Sequence, residues 1–250
     1  MKQSQFYYLL RRGLFSAGSA IIKNGLVMFN KFTTAGLNFP AQGSATFNGS
    51  SDYIQTNNAF SHTNHTIAAW VYLNDTSGFR TIFENREGGD DGIRLLYYNN
   101  EFYYQLNASD IRIDSIANQW VYLVGTYDGT TQKLYVDGSV IGSTSTSKAI
   151  DTPQNGLIGA SAGPGNYWTG NLANVAIWNR ALSSDEINSV MWKSYEALSG
   201  AESNGLKAWY SLDDISSPAA SLANMEQLAT DKNATIENKA AITAAINALS

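Results

Sequence analysis

The sequence has no cysteine and only four prolines, and charged residues make up 15% of its 250 residues. Without cysteine, the chain can form no disulfide, no cysteine-ligated zinc site and no thiol nucleophile. No segment reaches the roughly 20 consecutive apolar residues of a membrane-spanning helix, so we expect no membrane insertion. The formal net charge of −5 disfavours electrostatic capture of nucleic acid, and no glycine-rich phosphate-binding motif is present.

Small polar residues and tyrosine take the place of the missing charges, with 14 Tyr and 21 Gly in the chain. From residue 44 onwards, short alternating apolar runs are separated by turn residues at a spacing of about 8–12 residues, which is typical of an antiparallel β-sandwich or jelly roll. The Asp128-Gly129 and Asp137-Gly138 pairs predict tight turns, because Gly tolerates a positive φ. Strands are expected at 66–73, 93–98, 102–106, 156–160 and 172–178. Both faces of 66–73 are apolar, which indicates a strand covered on both sides.

One or two short helices are expected towards the C-terminus. Ser183 and Glu186 have the spacing of a capping box, in which each side chain binds the backbone N–H of the other residue. Apolar residues then recur at helical spacing, at Ile187, Val190, Met191, Tyr195 and Leu198. Gly200 would end this helix, and a second, Ala-rich helix is predicted over 235–249.

The first 43 residues are predicted to form an extended basic arm. All of its cations precede the first acidic residue, Asp52, and they are Lys2, Arg11, Arg12, Lys23 and Lys31. The apolar run at 6–10 is too short for a secretory signal and lies before most of this charge, so no cleaved signal peptide is expected. The arm is either a solvated basic segment or an anchor that docks on an acidic neighbour in an assembly, and we favour the anchor.

Three motifs, in the expected order, resemble the laminin-G-like, concanavalin-A-like jelly-roll family. Residues 47–54, FNGSSDYI, are similar to the family's opening F-D-G-x-x-D-Y-V. Residues 118–143 contain its W-hydrophobic-G-T-Y-D-G-T and L-Y-V-D-G run, and residues 170–182, GNLANVAIWNRAL, are similar to its closing motif. The resemblance covers about 45–195 and implies an all-β antiparallel jelly-roll sandwich.

The order of the segments departs from the family in one respect. A strand that opens many family members resembles residues 204–214 here, which follow the domain. The tail therefore either closes its own sandwich or supplies a strand to a neighbouring copy, and both alternatives stay open. We divide the chain into a basic arm at 1–43, a sandwich at 44–200, and a returning strand with a terminal helix at 201–250.

Catalysis is not expected. The resemblance implies that a glycanase of this fold would carry a Glu-x-Asp-x-Glu triplet, and the sequence has none. Glu84 and Glu87 come closest, but we expect them in a loop, and their odd spacing would place them on opposite faces of a strand.

Calcium is the one cofactor that the resemblance implies. Asp52 matches the acidic residue of the opening motif, but Ala173 and Asn174 replace the acidic pair of the closing motif. This replacement removes negative charge that a Ca²⁺ ion would need. The alternatives are no cofactor at all, or one structural Ca²⁺ held weakly by Asp52 and Asn174.

Aromatic side chains near loops are the candidate glycan contacts, because a ring face stacks on sugar C–H groups while neighbouring amides bind hydroxyls. They flank the Asn99-Asn100 turn or follow Gly163, and they are Tyr97, Tyr98, Tyr103, Tyr104 and Tyr167. Trp168 is expected in the core.

From these features we expect a non-enzymatic structural or adhesive component of a bacteriophage virion, such as a capsid decoration, head-fibre or tail-associated protein with a lectin-like domain. In this hypothesis residues 1–43 bind other virion proteins, the chain forms a homo-oligomer, and the sandwich contacts a cell-surface glycan. The alternative is a bacterial surface or secreted carbohydrate-binding module. A fold alone does not decide between them.

Overall fold

The computed structural model describes residues 43–60, 63–86, 92–115, 117–146 and 154–212. Its strands are β1 (Ala45–Asn48), β2 (Ile54–Phe60), β3 (His65–Leu73), β4 (Arg80–Asn85), β5 (Ile93–Tyr98), β6 (Glu101–Leu106), β7 (Ser109–Asp114), β8 (Trp120–Tyr127), β9 (Thr131–Val136), β10 (Ser139–Ser145), β11 (Gln154–Ile158), β12 (Thr169–Trp178) and β13 (Leu206–Tyr210). One α-helix, α1 (Ser184–Val190), and a 3-10 helix (Tyr195–Ala197) lie between β12 and β13.

The described strands form two antiparallel sheets packed face to face, which confirms the predicted jelly-roll sandwich. Sheet A has the order β1-β12-β3-β8-β9-β10, and β13 also pairs with β12. Sheet B has the order β2-β11-β4-β5-β6-β7. Apolar residues from alternating positions of both sheets fill the space between them, including Phe47, Phe83, Tyr97, Tyr104 and Trp168.

Strand β3 is buried along almost its whole length, as its two apolar faces predict. Its inner face packs in the core, while α1 and the residues after it cover part of the outer face. The indole Nε1 of Trp70 donates a hydrogen bond to the carbonyl oxygen of Met191 over 3.0 Å. The Trp70 ring also lies 5.1 Å from the ring of Trp192.

The helix is shorter than the sequence pattern predicts. The capping box of Ser183 and Glu186 is present, but α1 ends at Val190, and only a 3-10 turn follows it. A continuing helix would need the carbonyl oxygen of Met191 for its own ladder, and that oxygen accepts the Trp70 indole instead. The predicted apolar face is nevertheless buried as a whole.

Two strands, β4 and β7, were not predicted. Glu84, which we expected in a loop, lies in β4 and is buried. The prediction was wrong because β4 carries polar residues at both ends, so that apolar alternation is short. Its partners are β5, the next strand of the chain, and β11, which is distant in sequence.

Several predictions fall outside the described residues. These are the basic arm up to residue 42 with Lys2, Arg11, Arg12, Lys23 and Lys31, the helix at 235–249, and Glu87. In the part of the chain that is described, no helix is long and apolar enough to cross a membrane.

Candidate functional site

One end of the sandwich gathers the loops beside Tyr98 and Tyr167, two of the predicted aromatic residues. The backbone N–H of Asn74, in the β3–β4 loop, donates to Thr169 O over 3.2 Å. The N–H of Thr81 donates to Asn166 O over 2.9 Å, so the β11–β12 loop lies against the start of β4. The β5–β6 turn joins them, because Tyr97 Oη donates to Thr76 O over 2.6 Å. We call this the loop end.

Tyr98 is the most exposed aromatic residue at the loop end, with 49% of its surface accessible. Its ring lies 5.5 Å from the half-buried ring of Phe79, at an interplanar angle of 37°. The next two residues, Asn99 and Asn100, have φ angles of 51° and 65°, as a tight two-residue hairpin turn requires. This turn carries two amide side chains directly after Tyr98, and the Asn100 Oδ1 accepts a hydrogen bond from the Tyr97 hydroxyl over 3.1 Å.

A second aromatic pair lies in the neighbouring loops. The rings of Tyr53 and Tyr167 are 6.4 Å apart and tilted by 44°, and both residues are half-buried. Tyr167 Oη donates to the carbonyl oxygen of Pro164 over 3.2 Å. We call Tyr53, Phe79, Tyr98 and Tyr167 the aromatic rim.

The loop that carries Tyr167 is fastened to β4 by a buried carboxylate. Glu84 Oε1 accepts from the N–H of Ala162 at 2.7 Å and from Arg86 Nε at 2.8 Å. Its other oxygen, Oε2, is buried and has no hydrogen-bond partner within the described part of the chain. Glu84 therefore holds the loop rather than facing a cleft.

Asp75 provides a fixed negative charge next to Phe79. Hydrogen bonds from the hydroxyl and N–H of Ser77, followed by one from Arg80, lower its carboxyl pKa to about 2. The contact with Arg80 Nη2 is 3.0 Å. The β3–β4 loop thus keeps an ion pair beside the rim at any physiological pH.

Tyr103 lies on the outer face of sheet B. Its hydroxyl donates to Glu101 Oε2 over 2.8 Å, and the Arg112 guanidinium sits 5.0 Å from its ring centroid. Burial, and then the bond to Glu101, raise the pKa of this phenol. Because Arg112 covers one ring face, Tyr103 offers at most its other face to a ligand.

Tyr97 and Tyr104 differ from the other predicted contacts, since both are fully buried in the core. Tyr104 Oη lies 2.6 Å from His65 Nε2, and burial, together with nearby Tyr127, raises its pKa well above the usual value. Neither ring presents a face to solvent. This corrects the predicted set, in which Tyr98 and Tyr97 were given the same role although alternation puts them on opposite faces.

The two calcium candidates are not brought together. Asp52 Oδ2 accepts from the N–H of Asn48 over 3.1 Å, and Asn48 pairs with Thr169 at the start of β12. Asn174 lies five residues further along the same strand, roughly 16 Å away at the usual strand rise. One ion with ligand distances of about 2.4 Å cannot contact both. The described residues contain no group of three or more His, Cys, Asp or Glu side chains that could hold a metal.

Sequence reasoning missed two members of the rim. Tyr53 stands in the opening motif, where it was assigned to a strand. Phe79 follows Gly78 in a stretch without a motif. The Gly78-Phe79 step, an apolar ring directly after a turn residue, was the only local signal.

Comparison with known proteins agrees with this architecture. Residues 48–188 match the Laminin_G_3 family, described as the concanavalin A-like lectin/glucanases superfamily. A crystal structure from Bacteroides ovatus ATCC 8483, described provisionally as a carbohydrate binding protein, is 17% identical with a TM-score of 0.57. The match covers 68% of this chain and 51% of that one, so the chain spans about half of that protein's length.

Two other solved structures share the fold. Domain 4 of AbnA, an extracellular GH43 arabinanase from Geobacillus stearothermophilus, was solved with arabinotriose; it is 16% identical, with a TM-score of 0.52 and coverage of 59% of this chain and 76% of that one. The heptameric SAP-like pentraxin of Limulus polyphemus is 19% identical, with a TM-score of 0.51 and coverage of 59% and 81%. Comparison with curated proteins gave no significant match.

Proposed function

The chain belongs to the Laminin_G_3 family of the concanavalin A-like lectin/glucanase superfamily, and from this membership we propose that it is a non-enzymatic carbohydrate-binding domain whose aromatic rim contacts the glycan. Two of the structural neighbours support the ligand class, since one is described as carbohydrate binding and another was solved with arabinotriose. We propose further that it works outside the cell or on the surface of a particle.

The exposure of Tyr98 carries this proposal. An aromatic ring that is half accessible at a loop tip leaves apolar surface in water unless a ligand covers it, and the neighbouring Phe79 extends the same apolar surface. Sugar C–H groups stack on such rings, while amides such as that of Asn99 bind hydroxyls. Polar groups beside an aromatic surface are the usual composition of a small-ligand site.

The test is a glycan array followed by calorimetry on the best glycan, with the Tyr98→Ala and Tyr167→Ala variants. We expect each variant to weaken binding by about tenfold, which corresponds to roughly 1.4 kcal/mol. Val140→Ser is the matched control, because Val140 is 56% exposed on β10, the outermost strand of sheet A, and belongs to neither aromatic pair of the rim. Unchanged affinity in both tyrosine variants, or an array without a single positive glycan, would contradict the proposal.

The virion role is a second proposal, supported by the sequence of the basic arm. Five cations and no acidic residue precede Asp52, which suits an anchor on an acidic partner. Light scattering on the full chain and on a variant lacking residues 1–40 tests it. A full-length oligomer of defined size that becomes a folded monomer when residues 1–40 are deleted supports assembly through the arm. If both chains are monomers with equal melting temperatures, the anchor hypothesis is wrong and a free carbohydrate-binding module is favoured.

A further inference from the structure

A second ordered surface lies on the outer face of sheet A. Four residues on four adjacent strands form one row across this sheet: Thr46 pairs with Asn171, Asn171 with Tyr72, and Tyr72 with Trp120. The residues next to them along the strands point into the core; these are Ala45, Phe47, Val71, Leu73, Val121 and Leu172. Alternation therefore places all four side chains on the outer face. We call them the sheet A row.

Contacts within the row orient its side chains. Asn171 Nδ2 donates to Thr46 Oγ1 over 2.8 Å and to Ser44 Oγ over 3.2 Å. The rings of Tyr72 and Trp120 meet edge to face, with centroids 5.6 Å apart and an interplanar angle of 63°. Thr46 is exposed and the other three are half-buried. An oriented amide thus lies directly beside two partly accessible rings.

The next row on the same face shows what a covered position looks like. There Ala173 pairs with Trp70, and Trp70 with Tyr122, and all three are buried. Trp192, after α1, packs on Trp70. The segment after α1 therefore covers the neighbouring row, and the sheet A row lies beside this covered part of the sheet.

The chemistry of the sheet A row indicates a class of ligand. Its members are two aromatic rings, an amide and a hydroxyl, and none of the four carries a formal charge. Aromatic faces and edges bind sugar C–H groups, and the amide and hydroxyls bind sugar hydroxyls. Four strands at about 4.8 Å spacing make the row roughly 14 Å long, which is longer than one sugar ring.

We propose that the sheet A row is a second glycan site, which binds a neutral oligosaccharide laid across the strands. The proposal goes beyond the function assigned to the loop end, because it uses no residue of the aromatic rim and stands if the rim binds no sugar. A chain with both sites would hold two glycan strands at once, or one branched glycan at two points, with higher avidity than either site alone.

The test uses the full-length, ¹⁵N-labelled chain and a panel of linear neutral oligosaccharides built on glucose, mannose, galactose and xylose, with the four monosaccharides for comparison. The indole N–H signal of Trp120 is assigned from the Trp120→Phe variant. We expect this signal to move with at least one oligosaccharide, and the oligosaccharide to bind at least about tenfold more tightly than its monosaccharide.

Variants then assign the effect to the row. Tyr72→Val and Trp120→Val replace the ring with a β-branched side chain that suits a strand, and each should weaken oligosaccharide binding by about tenfold. Asn171→Asp removes the amide donor while keeping the side-chain shape, and it should also weaken binding. Tyr98→Ala and Val140→Ser should leave the Trp120 response unchanged. A dispersed amide spectrum in every variant establishes that the fold is intact.

The outcomes separate the two sites. If the sugars move rim signals but not Trp120, the second site is overturned and the rim stands. If they move Trp120 but not the rim, the loop-end proposal fails and the row stands; a panel that moves neither overturns both. If deletion of residues 1–40 shifts the Trp120 signal without sugar and no sugar competes, the row is occupied by the chain's own arm, and the glycan site is overturned.

Discussion

The backbone N–H of Asn174 donates a hydrogen bond to the carbonyl oxygen of Ser211 over 3.1 Å. This contact lies between two short strands that share one edge of β12: β1 pairs with residues 169–172, and β13 pairs with residues 175–178. Both run antiparallel to β12, so the end of β13 faces the beginning of β1. The two strands act as one edge strand divided between the two ends of the described chain, and β13 closes the sheet within its own chain.

The divided edge predicts that β13 is essential for stability. A chain ending after Asn204 loses Leu206, Trp209, Tyr210 and Leu212, all of which are buried. Since each such side chain contributes about 1.5–3 kcal/mol, the loss is comparable to the 5–15 kcal/mol that holds a typical domain together. Thermal unfolding followed by circular dichroism should show a cooperative transition in a chain ending after Leu212 and none in the shorter chain. Equal transitions would mean that β13 is dispensable.

Glu202 predicts a specific loss of stability in acid. Its carboxylate accepts hydrogen bonds from Lys193 Nζ, Ser189 Oγ and the N–H of Ser199. Burial raises its pKa, but these bonds outweigh that effect and lower the pKa from 4.5 to about 2. A lowered folded-state pKa contributes stability that is present above the unfolded value and is lost as the pH falls from about 4.5 to about 2.

The variant Glu202→Gln isolates this contribution. Urea unfolding at several pH values should show the natural chain losing on the order of 2 kcal/mol more than the variant between pH 5 and pH 2, after allowance for partial solvent screening. At neutral pH the variant should be the less stable of the two. Parallel pH profiles for both chains would show that Glu202 does not carry the acid sensitivity.

Gly125, in the W-hydrophobic-G-T-Y run, predicts a packing effect. A Cβ at this position would lie 2.3 Å from the Tyr104 ring, which is buried in the core. Gly125→Ala should therefore cost about 1–3 kcal/mol through overpacking. Gly200→Ala is the matched control, because a Cβ there meets nothing within 4 Å. Denaturant unfolding checks both, and equal midpoints would contradict the packing argument.

Calcium is expected to leave stability unchanged, since Asn174 lies within β12, whereas Asp52 binds the N–H of Asn48, which pairs with Thr169 at the start of that strand. A protein that binds a metal in its folded state melts at a higher temperature as the metal concentration rises. Scanning calorimetry with excess Ca²⁺ and with a chelator should give the same melting temperature. A saturable increase that Asp52→Asn abolishes would establish the calcium site that the family resemblance implies.

Local sequence patterns predicted much of the sandwich but not all of the site. Alternation and the Asn99-Asn100 and Asp137-Gly138 turns located the hairpins, because strand periodicity and positive φ are properties of a few neighbouring residues. Alternation also separates Tyr97 from Tyr98. Whether Tyr97 or Tyr98 points into the core depends on packing against the opposite sheet, and no local pattern contains that information.

Helix α1 shows the same division at its two ends. Its beginning is determined by Ser183 and Glu186, three residues apart, so the sequence predicted it correctly. Just beyond its end, the carbonyl oxygen of Met191 accepts a hydrogen bond from Trp70, more than a hundred residues away, which no local pattern predicts. The apolar residues beyond Val190 keep a helical spacing in the sequence, but the backbone there is not α-helical.

The sequence by itself determined the fold class, the main hairpins, the helix start and the family, because these depend on periodicity, turn chemistry and motifs within short windows. Only the tertiary structure decided that β1 and β13 share one edge, that Tyr53 and Phe79 join Tyr98 and Tyr167 at the loop end, and that Thr46, Asn171, Tyr72 and Trp120 form one row. These groupings depend on strand register across distant segments, and register is set by how the buried faces pack.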